Sequence, residues 1–280
     1  MIENLYSNPY LFVLAFSMII VMLFAIRYYL RNAKSTPEIL IGNGQTLGKR
    51  KEQEDCFSTV MNENGVLAVL ADGMGGFTNG RVASSLAVNT FVQEFSKSKN
   101  IEPIDKFFKD TSRLSNAYIV ERAKGEKVGT TLVAVIISDS YLYWSSIGDS
   151  AIALFRNGEF INLNKKHIFQ NVLEEQYLSG KITKEELLSN SKKNRLTNYM
   201  GHRGFRNIEI CDRSIKIVKG DKIILCSDGV YNSVTELEME NVLSKRLNPF
   251  KAAEEIIEII ESKKRPNQDN ATIVILEKND

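Results

Sequence analysis

Ala71-Asp72-Gly73-Met74-Gly75-Gly76 is the stretch on which the predicted fold depends. It follows residues 66–70, an apolar run with the length and composition of a buried strand. A carboxylate at the end of such a strand, followed by closely spaced glycines, suits a site where the backbone approaches a ligand. An acidic turn between a strand and a helix has the same pattern, because glycine clusters are common in loops. The stretch alone therefore leaves both interpretations open.

Three other aspartates stand at the ends of apolar, strand-like runs. Asp149 and Asp228 each come shortly after such a run, whereas Asp269 comes shortly before one. The start of an antiparallel strand lies at the same edge as the ends of its neighbours. If the last strand is antiparallel to its neighbours, the sequence allows these aspartates to cluster with Asp72 at one rim of a sheet.

The composition is that of a globular protein. The chain has 280 residues, of which 43% are hydrophobic and 25% charged, enough for one large domain or two small ones. Lys and Arg number 36 against 34 Asp and Glu, so the charge balance gives no indication of nucleic acid as a partner. The 3 cysteines are widely spaced, which argues against a disulfide framework or a structural zinc site and fits a reducing compartment.

The N-terminal region predicts a membrane anchor. Residues 10–30 are almost uninterrupted apolar sequence and reach the length of about 20 residues that a spanning helix needs. A cleaved signal peptide is the competing interpretation, but no basic residue precedes the run and no small-x-small site closes it. Arg27, Arg31 and Lys34 place the C-terminal side in the cytoplasm by the positive-inside rule. We expect a short extracytoplasmic segment at 1–9, a transmembrane helix at 10–30 and a linker at 31–44.

The domain expected over residues 45–280 mixes strands and helices. Asn64-Gly65 predicts a hairpin between two strand-like runs, and short links between the runs of residues 130–163 imply antiparallel pairing. Strands in blocks and helices in pairs predict an α+β layered fold rather than a doubly wound one. Residues 167–201 are charged and helix-prone, and they form either a mobile flap or a plain surface excursion.

An ordered series of motifs in this domain resembles that of the metal-dependent PP2C (PPM) protein phosphatases. The series comprises Gly48-Lys49-Arg50-Lys51-Glu52-Gln53-Glu54-Asp55, Asp72-Gly73-Met74-Gly75-Gly76, Gly129-Thr130-Thr131, Gly148-Asp149-Ser150, Ser227-Asp228-Gly229 and Asp269-Asn270. Asn194-Arg195-Leu196-Thr197 with Gly201 also resembles the flap ending of bacterial members. The resemblance covers residues 45–276 and implies a four-layer α-β-β-α sandwich, with two antiparallel sheets flanked by helices. It also implies hydrolysis of phosphoserine and phosphothreonine on proteins.

Carboxylates without matching His or Cys ligands select hard cations such as Mn²⁺ or Mg²⁺. The resemblance implies two such ions, bridged by Asp72, with a hydroxide between them as the nucleophile. The implied ligands and substrate contacts are Asp72, the Gly73 carbonyl, Asp228 and Asp269 for the ions, Glu54 and Asp55 for metal-bound waters, and Arg50 for the substrate phosphate. Arg50 and Asp72 are thus the predicted catalytic residues.

Two positions depart from the family pattern. Met74 stands where many eukaryotic members carry a histidine proposed to protonate the leaving group, and methionine cannot donate that proton. Asn232 stands where bacterial members usually have an aspartate for a third ion. A third, weakly held ion would therefore have Asp149 and Asn232 as its candidate ligands.

The resemblance implies phosphorylated proteins as substrates and a cognate Ser/Thr kinase as a partner. The predicted anchor adds the lipid bilayer as a partner, and the charge balance predicts no nucleic acid. A cysteine phosphatase is excluded because no arginine stands six residues after any cysteine. A dinucleotide loop is excluded because Thr78 occupies the last glycine position of G-x-G-x-x-G. The alternative function is a membrane-tethered pseudophosphatase that binds phosphoproteins without turnover. The intact acidic set favours an active enzyme.

Overall fold

The computed structural model describes residues 9–32, 37–75 and 79–279, and within the first range the side chains of residue 10 and residues 13–27. The chain divides into two units, residues 1–38 and residues 39–280. Helix α1 (Pro9–Asn32) belongs to the first unit, and its described side chains are exposed and mostly apolar. Among the described residues, no helix combines the length and the apolar character needed to cross a membrane. The predicted segment 1–9 lies outside the described residues except for Pro9.

The second unit contains the remaining strands and helices. The strands are β1 (Ile39–Thr46), β2 (Asp55–Asn62), β3 (Gly65–Met74), β4 (Gly129–Thr130), β5 (Leu132–Ser138), β6 (Tyr141–Ile147), β7 (Ala151–Arg156), β8 (Glu159–Asn162), β9 (Glu209–Ile210), β10 (Ile215–Lys216), β11 (Lys222–Cys226) and β12 (Ala271–Lys278). The helices are α2 (Asn79–Lys97), α3 (Ile104–Ala123), α4 (Phe169–Leu178), α5 (Lys184–Ser189), α6 (Asp228–Tyr231), α7 (Glu236–Leu243) and α8 (Pro249–Ser262).

In the described part of this unit, the strands form two antiparallel sheets. The five-stranded sheet has the order β1-β12-β11-β7-β8. The seven-stranded sheet has the order β10-β6-β5-β3-β2, with β4 paired to β3 and β9 to β6. Strand β12 is antiparallel to both of its neighbours. This is the condition under which Asp269, which precedes β12, can lie near the aspartates that follow other strands.

The seven-stranded sheet is buried on both faces. In β3, Leu67 and Val69 pack into a core with Phe91 and other apolar residues of α2 and α3. Ala68 and Leu70 alternate with them and belong to the core between the two sheets. Because successive side chains of a strand point to opposite faces, burial on both sides explains the continuous apolar run that precedes Asp72.

The five-stranded sheet is covered in the same way. In β11, Ile223 and Leu225 belong to the core between the sheets, whereas Ile224 packs in a separate core with Ile256 of α8. The layers therefore follow the order helix, sheet, sheet, helix. This order confirms the predicted α-β-β-α sandwich.

The predicted linker at 31–44 is too long. Residues 39–44 belong to β1, which pairs with β12 from Ile39 to Thr46. Gly42 and Gly44 indicated a flexible segment, yet both lie under α8. A Cβ atom on Gly42 would come within 2.0 Å of the backbone carbon of Pro249. These glycines permit a close approach of a helix to a strand, which a single sequence cannot distinguish from a linker.

The predicted flap region contains α4 and α5. Its base is closed by backbone hydrogen bonds, from Phe169 to the Arg195 carbonyl at 2.8 Å and from Thr197 to the His167 carbonyl at 2.9 Å. Mobility of this region stays a prediction.

Candidate metal centre

The predicted acidic residues converge at one end of the sandwich, between the two sheets. Asp72 lies near the end of β3 in the seven-stranded sheet, whereas Asp228 and Asp269 flank β11 and β12 of the five-stranded sheet. Asp149 lies in the link from β6 to β7, where the chain passes from one sheet to the other. The prediction of a cluster at the rim of one sheet is therefore wrong, because the two sheets stack face to face and each contributes carboxylates.

The backbone of Asp72 is fixed by its neighbours. Its amide donates to Thr131 Oγ1 at 3.0 Å, and its carbonyl accepts from Thr130 Oγ1 and from the Thr131 amide, both at 2.9 Å. None of these contacts uses the Asp72 carboxylate. Burial raises the pKa of Asp72 well above its ordinary value, and the negative charges of Asp55 and Asp228 add to the rise. Such a carboxylate gains strongly from a nearby cation.

Asp55 links the two sheets through hydrogen bonds. Its Oδ2 oxygen accepts from Ser227 Oγ and from Thr272 Oγ1, both at 2.7 Å. Burial raises the pKa of Asp55 to about 6, while the hydrogen bonds from Thr272 and Ser227 lower it. The two hydroxyl groups hold the carboxylate in one orientation and occupy Oδ2, so its other oxygen suits the predicted contact with a metal-bound water.

Asp228 begins α6 and is the third carboxyl group of the centre with a raised pKa. Burial raises its pKa to about 7, and the charges of Asp149 and Asp269 contribute further. Asn232 Nδ2 donates to Asp228 Oδ2 at 3.3 Å. Asn232 thus directs its amide nitrogen towards the carboxylate. A residue that shares an ion with Asp228 would have to direct an oxygen there instead.

Arg50 is placed beside the acidic residues by a hydrogen-bonded loop. Its Nη2 atom lies 2.6 Å from Asp269 Oδ2. Asn270 fastens this loop: its Oδ1 accepts from the Glu54 amide at 2.9 Å, and its Nδ2 donates to the Leu47 and Glu52 carbonyls at 2.9 and 3.1 Å. The guanidinium is therefore held near the centre, and the side chain remains largely exposed.

Asn270, Thr272 and Ser227 support the site but have no role predicted from the sequence. Each is a buried polar residue at the start or end of an otherwise apolar strand. That position is the sequence feature that could have identified them, because a buried hydroxyl or amide needs a hydrogen-bond partner. Their partner, Asp55 or the loop around Arg50, is more than 170 residues away in sequence.

The residues present fit hard divalent cations. Glu54 Oε1 is buried with no hydrogen-bond partner among the described residues, as a ligand for a metal-bound water would be. At Gly73, a Cβ atom would come within 2.1 Å of the Gly80 carbonyl oxygen, so only glycine permits this backbone approach. In the described part of the chain, no three His, Cys, Asp or Glu side chains are grouped as ligands of a single ion. Mg²⁺ commonly takes only one or two carboxylates and keeps several waters, which this donor set can provide.

Thiol chemistry does not fit the site. Cys226 ends β11 next to the acidic residues, but burial raises the pKa of its thiol to about 12. A protonated thiol is not a nucleophile. The carboxylates and Arg50 are therefore the candidate groups for the chemistry of this centre.

The comparisons with known proteins cover the same region. Residues 46–267 match the family model described as Protein phosphatase 2C. The chain is 30% identical over 238 residues to the Serine/threonine phosphatase stp of Listeria welshimeri, which is 82% of this chain and 92% of that protein. The S. agalactiae serine/threonine phosphatase structure has a TM-score of 0.76 at 24% identity, over 85% of this chain and 99% of that one. The catalytic domain of PstP, solved in complex with 2 manganese ions, has a TM-score of 0.68 at 26% identity, over 86% of this chain and 99% of that one.

Proposed function

We propose, from the premise that the chain belongs to the protein phosphatase 2C family, that it hydrolyses phosphoserine and phosphothreonine on proteins with two Mn²⁺ or Mg²⁺ ions. It is a protein serine/threonine phosphatase. The observation that carries the metal assignment is the convergence of Asp72, Asp228 and Asp269 from both sheets beside Arg50. PstP, a relative by structure, was solved with 2 manganese ions.

The residues that would hold the ions are Asp72, the Gly73 carbonyl, Asp228 and Asp269. Two bound ions lower the pKa of a water between them and stabilise an in-line displacement at phosphorus. Asp72 would be a ligand of both ions, and this role is supported by its place on the sheet opposite Asp228 and Asp269 and by the raised pKa of its carboxyl group. Glu54 and Asp55 would accept hydrogen bonds from water at the centre.

Arg50 would bind the substrate phosphate. Its guanidinium has five N–H donors in a planar fork, and the described contact with Asp269 uses Nη2. The other donors can engage two phosphate oxygens at once. The Arg50 side chain is 54% exposed, so an incoming phosphoprotein can reach it.

We further infer that residues 10–30 anchor the enzyme to a membrane, with residues 39–280 as a cytoplasmic phosphatase domain that counteracts a protein kinase. Support comes from the apolar run, from the exposed apolar side chains of α1 and from the basic residues at its C-terminal end. The proposed span includes residues 28–30, whose side chains lie outside the described set. Fractionation of cells that produce the full chain tests this: recovery of the protein free of membranes contradicts the anchor.

The activity is tested on the full chain in detergent with a phosphothreonine peptide. We expect phosphate release that requires Mn²⁺, stops with EDTA and is lost in Asp228→Ala. Cys226→Ala is the matched control, because it changes a neighbouring buried side chain that the reaction does not use. A chain that binds the phosphopeptide but releases no phosphate at any Mn²⁺ concentration would be the pseudophosphatase instead.

A further inference from the structure

Lys166 is a half-buried cation beside the acidic centre. Its Nζ atom lies 3.1 Å from the centroid of the Tyr231 ring. The Tyr231 hydroxyl donates to the Asp149 carbonyl at 3.1 Å, and Tyr231 ends α6, the helix that Asp228 begins. Tyr231 therefore connects the ammonium group with the helix that Asp228 begins and with the turn that carries Asp149.

The backbone around Lys166 is fixed to the turn that carries Asp149. The His167 amide donates to the Gly148 carbonyl at 2.8 Å, and the Gly148 amide donates to His167 Nδ1 at 3.1 Å. Asn198 Nδ2 also lies 2.9 Å from His167 Nδ1, so this nitrogen is the acceptor and the ring is neutral. Burial lowers the pKa of His167, which agrees with a neutral ring. Lys166 is thus the partly buried charged residue in this segment, next to the exposed Lys165.

Partial burial disfavours the charged form of Lys166, and nearby negative charges offset this effect. Burial lowers the pKa of Lys166, while the negative charges of Asp149 and Asp228 raise it. An aromatic face also stabilises a cation that has lost part of its water. Burial also raises the pKa of the Asp149 and Asp228 carboxyl groups, so both gain from a positive charge nearby.

Asn232 also contacts Asp228 without adding a negative charge. Its side chain is neutral and donates to Asp228 Oδ2. Arg265 Nη1 in turn donates to the backbone carbonyl of Asn232. Around Asp149 and Asp228, this chain therefore has a lysine and an amide donor, both of which favour the charged carboxylates without a further ion.

We propose that Lys166 supplies, through its ammonium group, the positive charge that a third divalent ion would bring beside Asp149 and Asp228, so that this chain works with two ions. Lys166 acts here as a positioning residue for the two carboxylates and not as a catalytic one. The inference rests on the proposed two-ion phosphatase function. It concerns the residues of this chain that surround the two-ion centre.

Binding of Mn²⁺ to the full chain in detergent tests the proposal, with free Mn²⁺ measured by electron paramagnetic resonance. The wild type is expected to bind two ions, with a third only at much higher Mn²⁺. Lys166→Met keeps the apolar stem and removes the charge, so a third ion should bind about tenfold more tightly. Lys166→Arg keeps the charge and should match the wild type. Lys165→Met, the exposed neighbour, is the control and should also match it.

Activity gives a second readout. The kcat of Lys166→Met should fall and then recover at Mn²⁺ concentrations at which its third ion binds, whereas a lost packing contact would not be restored by metal. Identical Mn²⁺ binding by the wild type, Lys166→Met and Lys165→Met would overturn the inference and leave the two-ion function intact. Failure of the wild type to bind two ions would overturn the proposed function itself. If Lys166→Met does not fold, Lys166→Gln replaces it in both measurements.

Discussion

Asp55 and Asp72 occupy directly opposite positions on the paired strands β2 and β3. Like charges at opposite positions of an antiparallel pair destabilise a sheet. Here burial raises the pKa of both carboxyl groups, and the negative charge of Asp55 adds to the rise at Asp72. Two opposed carboxylates therefore destabilise the folded protein without a cation and favour cation binding. Removing one of them should have opposite effects on stability and on activity.

Asp72→Asn should stabilise the metal-free protein and abolish its activity. The amide removes one of the two opposed charges, so the free energy of unfolding in EDTA should rise by about 0.5–1 kcal/mol. The same change removes the predicted bridging ligand, so kcat/KM should fall by about a thousandfold or more. Denaturant unfolding in EDTA and peptide dephosphorylation in Mn²⁺ measure the two effects.

Asp139→Asn is the matched control for this change. Asp139 lies in the exposed turn between β5 and β6 with a φ of 49°, a conformation that asparagine adopts readily. Its stability and activity should remain those of the wild type. Loss of stability in Asp72→Asn under EDTA would contradict the assignment of an unfavourable charge pair.

The stability of the metal-free protein should fall as pH rises. The folded-state pKa values of Asp55 and Asp228 are about 6 and about 7, above the ordinary aspartate value. The folded state then binds more protons than the unfolded state between about pH 4 and pH 7. The stabilisation is complete below that window and is lost as pH rises through it.

Thermal unfolding in EDTA should therefore show a melting temperature that decreases from about pH 5 to about pH 8. Saturating Mn²⁺ should reverse the trend, because bound cations require and stabilise the ionised carboxylates. A melting temperature in EDTA that increases over this range would show that these carboxyl groups are not raised in pKa.

The sequence was sufficient to predict the layered fold because its local signals agree. Within residues 130–163, β5 pairs with β6 and β7 pairs with β8 in the expected antiparallel sense, and Asn64-Gly65 forms the expected hairpin. Strand β1 was missed because its glycines serve a contact with α8, which is more than 200 residues away. Sequence spacing cannot show such a contact.

The site was predictable in its acidic residues but not in its supporting contacts. Aspartates after apolar runs are visible along the chain, and the motif series gave their order. The assignment to one rim failed because strand order within a chain does not determine which sheet a strand joins. The placement of Lys166 depends on a hydrogen bond from His167 to Gly148 and on the position of the Tyr231 ring, and neither leaves a local sequence signal.

Thr272→Val should weaken metal binding without removing any predicted ligand. Thr272 is fully buried, and its hydroxyl donates to Asp55 Oδ2 while it accepts from Gln45 Nε2. We expect a loss of stability of about 1–2 kcal/mol and Mn²⁺ affinity about tenfold lower. Thr90→Val is the control, since this buried hydroxyl in α2 bonds only the Leu86 carbonyl of its own helix among the described contacts. Equal effects of both substitutions on Mn²⁺ affinity would contradict a role for Thr272 in supporting the metal centre.

Arg50→Lys should separate phosphate binding from turnover. Lysine keeps the charge near Asp269 but presents a point charge instead of a planar fork. We expect KM for the phosphopeptide to rise about tenfold, with a smaller change in kcat. Arg113→Lys on α3, whose side chain is 67% exposed, is the control and should leave both constants unchanged. An unchanged KM in Arg50→Lys would exclude a two-oxygen contact with the substrate phosphate.

Asn232→Asp should create a better third-ion site next to Asp228. The substitution removes the amide donor to Asp228 Oδ2 and adds a negative charge, so it changes the local charge by one unit, as Lys166→Met does. A third Mn²⁺ should then bind about tenfold more tightly than in the wild type, while the two tight ions are unaffected. Because Lys166 still neutralises Asp149 and Asp228 in this variant, activity at Mn²⁺ concentrations that fill only two sites should stay close to that of the wild type. Counting bound Mn²⁺ alongside peptide turnover decides the matter: an unchanged third-ion affinity would show that residue 232 only orients Asp228 through its hydrogen bond.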